Sequence, residues 1–295
     1  MGMNEGRDRG VATDLIAQIE RAHKRGEHGR VIFSCDQLLA DSAYEPHRAI
    51  LLFWKGMSHF KAGPAWRGQA ISCLREGLAA ASKDRPTKAR ILVALAMIYA
   101  YMGDYITFDK LVKEWERISR DKNPAVLRWG AMFWYNYGCA LDNACRYAEA
   151  IAVYQKALTF CQWAEDMRCN VLHNLSGAFL YSGDLPQALA TMEQAEALNK
   201  NDPTSLSRRA EYALAVGDFT SAQQYVAEAL LHPAIDNFTR GDAYYTWAQI
   251  LLALDRPQEA QEKALQALDY AIRSVHLPCI HKTNIFLQQF GSPVQ

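Results

Sequence analysis

Cys169 and His173 are the residues of this chain whose types and spacing most directly suggest chemistry. Four apart on a helix, a thiol and an imidazole share one face and could share a metal ion. Two ligands do not make a coordination set, so the favoured reading is a partly packed thiol with His173 on a binding surface. His276, Cys279 and His281 cluster near the C-terminus, but Leu277 and Pro278 interrupt them and no fourth ligand is suggested. Neither group is assigned a metal, and no cofactor is expected. No GxxxxGK[ST], GxGxxG or HExxH occurs, so there is no phosphate-cradling loop and no zinc-hydrolase helix. Acidic residues are scattered over helix faces, not paired in a cleft. No catalytic residue is proposed and the chain is read as non-enzymatic.

Charge narrows the partners. The 295 residues hold 32 Lys+Arg against 32 Asp+Glu, a formal net charge of zero. A general binder of nucleic acid needs a basic excess to displace counterions, so direct nucleic-acid binding is not expected. Half of the residues are hydrophobic and 22% are charged, enough apolar surface for a core. No apolar run reaches membrane-spanning length, and the polar start MGMNEGRDRG carries no secretory h-region. Seven cysteines without a CxxC fit reduced thiols in a cytoplasm better than a disulfide framework.

The positioning elements emerge from a spacing. Gly183-Asp184-Leu185 is followed by Ala188, Met192 and Ala195; 34 residues on, Gly217-Asp218-Phe219 is followed by Ala222, Val226 and Ala229. Each group is preceded by a run with small or apolar residues at helical period, Leu172/Leu175/Ser176/Phe179 and Leu206/Arg209/Ala210/Ala213. The same template fits around Leu92–Val112, Trp134–Ala157 and Tyr244–Ala267, with weaker copies around Leu15–Leu38 and Leu52–Leu74. Each unit therefore reads as helix, turn, helix. Gly103, Gly183 and Gly217 end the first helix, where a left-handed residue is needed. Asp104, Asp184 and Asp218 follow as caps of the second helix. Pro186 and Pro257 fall in its first turn, and Pro46, Pro124 and Pro203 lie between units.

This pattern resembles the tetratricopeptide repeat family. The resemblance implies an all-α fold, a right-handed α-solenoid of about seven helical hairpins. Units are expected at about 12–45, 49–84, 89–122, 131–164, 169–202, 203–236 and 241–274, after an N-terminal tail 1–11. A C-terminal cap, 275–295, holds a short helix expected at His281–Phe290. Phe108 departs from the family's small residue in the third unit, and spacers of about four to eight residues interrupt the array; the stacking angle is expected to change at those joints.

The resemblance further implies that first helices line a concave groove. The candidate peptide- or partner-binding residues are then Tyr135, Asn136, Asn170, His173, Asn174, Tyr181, Arg208, Glu211, Tyr245 and Gln249. Asn136 and Asn174 occupy equivalent positions in successive units and can pair with any peptide backbone. Arg208 suits a carboxylate, and the tyrosines offer rigid contact area. The array resembles the sensor domains of Gram-positive peptide-responsive regulators, the Rap and PlcR class. The expectation is a cytoplasmic regulator that binds a short peptide or a partner segment. The alternative is a static scaffold for a protein complex. No membrane partner is expected, and a homodimer is compatible with the end units.

Overall fold

The computed structural model describes residues 2–291 except 103, 121, 201, 275 and 276; Gly103 and His276 of the sequence reading lie outside the described residues. The described chain is all-α. Its helices are α1 (Gly2–Lys24), α2 (His28–Leu39), α3 (Arg48–Ala62), α4 (Arg67–Ala80), α5 (Arg85–Met102), α6 (Tyr105–Ser119), the short α7 (Pro124–Leu127), α8 (Gly130–Asn143) and α9 (Tyr147–Phe160). They continue as α10 (Arg168–Ser182), α11 (Leu185–Leu198), α12 (Pro203–Ala215), α13 (Phe219–Leu231), α14 (Asn237–Ala253), α15 (Pro257–Ser274) and α16 (Leu277–Gln288). Helical hairpins of this kind, packed in sequence order, make an α-solenoid. The chain divides into two compact units, Met1–Ala140 and Leu141–Gln295. Helix α1 begins at Gly2, ahead of residue 12, where the repeat spacing places the first hairpin.

The turns follow from their residue types. Gly183 ends α10 in the left-handed region (φ 87°), which costs glycine no Cβ clash. Asp184 then caps α11, its carboxylate accepting the Gln187 N–H at 3.2 Å. Asp218 repeats the device on α13 and accepts from the N–H and hydroxyl of Ser221 at 3.0 and 2.6 Å. Asp104 does the same for α6 through the Thr107 N–H at 3.0 Å. Each cap satisfies an N–H that no turn of helix precedes.

Two turns use other residues for the same geometry. Cys145 (φ 57°) and Asp255 (φ 56°) fill the left-handed slot before α9 and α15. Arg146 and Arg256 come next and cannot accept an amide hydrogen. Each instead grips a glutamate of the first turn, Arg146 to Glu149 and Arg256 to Glu259, at 2.6–2.7 Å through its Nε and Nη2.

In the first unit, α3 and α4 approach so closely that a Cβ on Gly56 would lie 2.8 Å from Leu74 Cγ. Phe108 is fully buried and stacks on Tyr137 at 4.8 Å between ring centres, while Trp115 stacks on Phe133 at 4.7 Å. The large residue at 108 is thus absorbed by an aromatic layer against α8. In the second unit, α13 and α15 present alanine to the hairpin core, with Ala222, Ala229, Ala260, Ala264 and Ala267 fully buried. Phe286 and Leu287 of α16 pack on Ala248, Leu251, Ala260 and Ala264, so the last helix covers the apolar face of the final hairpin. No helix among the described residues is long and apolar enough to cross a membrane.

Candidate functional site

Most of the candidate residues come from first helices of the second unit. Helix α10 supplies Asn170, Asn174 and Tyr181, α12 supplies Arg208 and Glu211, and α14 supplies Tyr245 and Gln249. Tyr135 and Asn136 sit on α8 in the first unit. Asn170 is exposed; Tyr135, Asn174, Tyr245 and Gln249 are half-buried. Tyr181 is 48% exposed. Asn136 is buried, and its Nδ2 has no hydrogen-bond partner among the described residues. His173 is buried and faces Asp202 at 3.0 Å, which takes it out of the exposed stripe.

A linked set of charges runs across these helices. Arg208 Nη1 donates to Glu211 Oε2 at 2.6 Å, and the Tyr181 hydroxyl donates to the same oxygen at 3.4 Å. Gly177 lies against this pair. A Cβ there would lie 3.2 Å from the Arg208 guanidinium, so the missing side chain is the seat on which the arginine lies. Lys282 of α16 donates to Asp242 of α14 at 2.7 Å and also sits 4.6 Å over the Tyr245 ring. Tyr147 stacks on Tyr181 at 5.5 Å.

Burial and charge tune these groups together. Burial pulls the Arg208 guanidinium down, but Glu211, Tyr181 and Asp242 outweigh it and hold the group above its ordinary value. Lys282 is likewise opposed by burial and raised overall by Asp242, Tyr181 and Glu211. Burial and Glu211 push the Tyr181 phenol up, so it remains a donor. Asp142, in the last turn of α8, is the outlier. Burial pushes its carboxyl up to about 7, against the lowering pull of the Tyr154 hydroxyl, which donates to it at 2.7 Å, and of Arg208. Its other oxygen is buried with no partner among the described residues.

Beside this set lies an open depression of about 560 Å³ lined by Leu214, Tyr245, Gln249, Leu252, Ala253, Lys282, Ile285, Phe286 and Gln289. Its lining combines apolar side chains with two amides, a phenol and an ammonium. Such a surface can take an apolar side chain while hydrogen-bonding the backbone that carries it.

The sequence reading missed Asp142, Asp242, Lys282 and Gly177. Asp142 and Asp242 were invisible because scattered acids on helices are ordinarily solvated. Lys282 lies beyond the repeat, and the glycine signals through what it lacks. Only the departure from larger residues at the equivalent position, Cys139 and Glu211, could have marked Gly177.

The model of the tetratricopeptide repeat family matches residues 131–161. No curated protein matches the chain. Among solved structures, a tetratricopeptide repeat protein from Parabacteroides merdae superposes with a TM-score of 0.66 at 14% identity, covering 91% of this chain and 98% of its own. The apo form of RapI gives 0.59 at 12% identity over 95% and 97%. The type IV pilus biogenesis factor PilW gives 0.54 at 18% over 75% and 92%. At these identities the likeness is one of fold. The chain thus carries a tetratricopeptide repeat match at residues 131–161, within an all-α solenoid whose fold is that of solved tetratricopeptide repeat proteins.

Proposed function

We propose that the chain is a non-enzymatic protein-binding module, a cytoplasmic regulator whose second unit holds a short peptide or partner segment along α10, α12, α14 and α16. The observation that carries this reading is the surface of accessible Tyr181, Tyr245 and Gln249 beside the 560 Å³ depression. Its charges are already paired internally, Arg208 with Glu211 and Lys282 with Asp242. A ligand therefore meets a neutral, hydrogen-bonding wall and not a single-sign trap. This favours peptide backbone and apolar side chains over phosphate. In this reading Asn170 and Asn174 extend the contact along α10, and Arg208 and Glu211 hold Tyr181 in place. Tyr135 and Asn136 form a separate candidate contact on α8.

The test is panning of a phage-displayed peptide library on the immobilised chain. Enriched peptides should lose at least about tenfold in affinity on Tyr181→Ala with Gln249→Ala, with circular dichroism unchanged. Equal affinity for the double variant sinks the assignment. Regulator and scaffold part in scattering: a regulator changes its radius of gyration when the enriched peptide is added, and a scaffold does not. RapI shares the fold and PilW is a pilus biogenesis factor, so the fold alone is compatible with either role. Self-association belongs to the same proposal. Phe33 of α2 is 66% exposed, and Phe33→Glu should abolish any dimer seen by ultracentrifugation.

A further inference from the structure

Cys169, His173 and Asp202 bring three different donor atoms to one point in the second unit. Cys169 and His173 lie one turn apart on α10, and Asp202 is the residue that caps α12. Cys169 Sγ is 3.4 Å from His173 Nε2, His173 Nε2 is 3.0 Å from Asp202 Oδ2, and Sγ is 3.9 Å from the same oxygen. These are the edges of a small triangle. A tetrahedral zinc ion, with bonds of about 2.3 Å to sulfur and about 2.0–2.1 Å to nitrogen or oxygen, holds its ligand atoms about 3.3–3.6 Å apart.

The arrangement is not that of a catalytic thiol. In a nucleophile–imidazole–carboxylate relay the thiol and the acid sit at opposite ring nitrogens. Here both address Nε2, and Nδ1 is buried with no partner among the described residues. Convergence on one nitrogen is what a shared cation requires.

We infer that Cys169, His173 and Asp202 form a site for a zinc-class divalent cation, with a solvent molecule as fourth ligand. Charge supports it: one thiolate and one carboxylate neutralise a divalent ion, so a site that is 97% enclosed at His173 acquires no net charge. The other oxygen of Asp202 accepts the Thr204 N–H at 2.9 Å, which fixes Oδ2 toward the imidazole. Uptake releases the Cys169 thiol proton to solvent, and the imidazole moves its proton from Nε2 to Nδ1. Because Nδ1 is unpartnered in either tautomer, that move breaks no hydrogen bond other than the one the cation replaces. Sulfur and nitrogen donors select zinc over magnesium or calcium. The bound ion ties α10 to the start of α12, two consecutive hairpins.

The full chain, purified without chelator and titrated with Co²⁺ under reducing conditions, tests this. One equivalent should give the thiolate-to-cobalt charge-transfer band and the intense visible bands of tetrahedral geometry, and Zn²⁺ should erase both. Cys169→Ser should lose the charge-transfer band. Asp202→Asn keeps an oxygen for the Thr204 cap and should weaken Co²⁺ binding at least about tenfold. Zn²⁺ at saturation should raise the Tm of the wild type and not of Cys169→Ser. The site is overturned if no tetrahedral thiolate spectrum forms. It is also overturned if the band survives in Cys169→Ser, which would place it on another cysteine.

Discussion

Asp142 illustrates how one carboxyl can set a pH response. In the unfolded chain it has an ordinary value near 3.8, and in the fold burial pushes it up to about 7. Between these values the folded protein keeps a proton that the unfolded chain has released, so stability falls as pH rises through this window. The contribution is full below about 4 and lost above about 7. Asp142→Asn keeps an acceptor for the Tyr154 hydroxyl and removes the titration. Urea unfolding at pH 5 and pH 8 should show the variant gaining on the wild type at the higher pH, on the order of a few kcal/mol. An unchanged difference between the two pH values refutes the assignment. Arg208 teaches a related point. The sequence suggested an arginine waiting for a ligand's carboxylate; the fold supplies that carboxylate itself, as Glu211. Residue types on a helix face were legible, but their partners were not, because the partners lie 3 to 40 positions away on other turns and helices.

Elements were far more legible than residues. Gly183-Asp184 and Gly217-Asp218 announce their turns because left-handed φ and an amide-accepting cap are each met by few residue types. The turns at Cys145-Arg146 and Asp255-Arg256 carry no such announcement, although their backbones do the same thing. Replacing a cap measures what the announcement is worth. Asp218→Ala should lower the chemical-denaturation midpoint, from the orphaned Ser221 amide at the start of α13. A loss indistinguishable from zero would mean that solvent satisfies that amide equally well.

At the scale of the whole molecule, stability in a stacked array is a sum of neighbour terms, so its ends matter disproportionately. Helix α16 covers the last hairpin with Phe286 and Leu287. Phe286→Ala should cost about 3 kcal/mol, and hydrogen exchange should show α14 and α15 losing protection before α10 and α11. Uniform loss across the second unit would instead indicate all-or-none unfolding. The fold class was readable at this scale because a repeat states its message several times. The binding wall was not, since the features that shape it, Gly177 and Lys282, each occur once.

The left-handed turn before α9 has a practical corollary. Of the seven cysteines, Cys145 alone is exposed; the rest are buried or half-buried. A maleimide fluorophore offered in limited amount should therefore couple there first. It would sit three positions from Asp142 and two from Tyr147, whose ring meets Tyr181. The native chain thus brings its own attachment point for an optical reporter, next to the surface where a ligand's arrival would be seen.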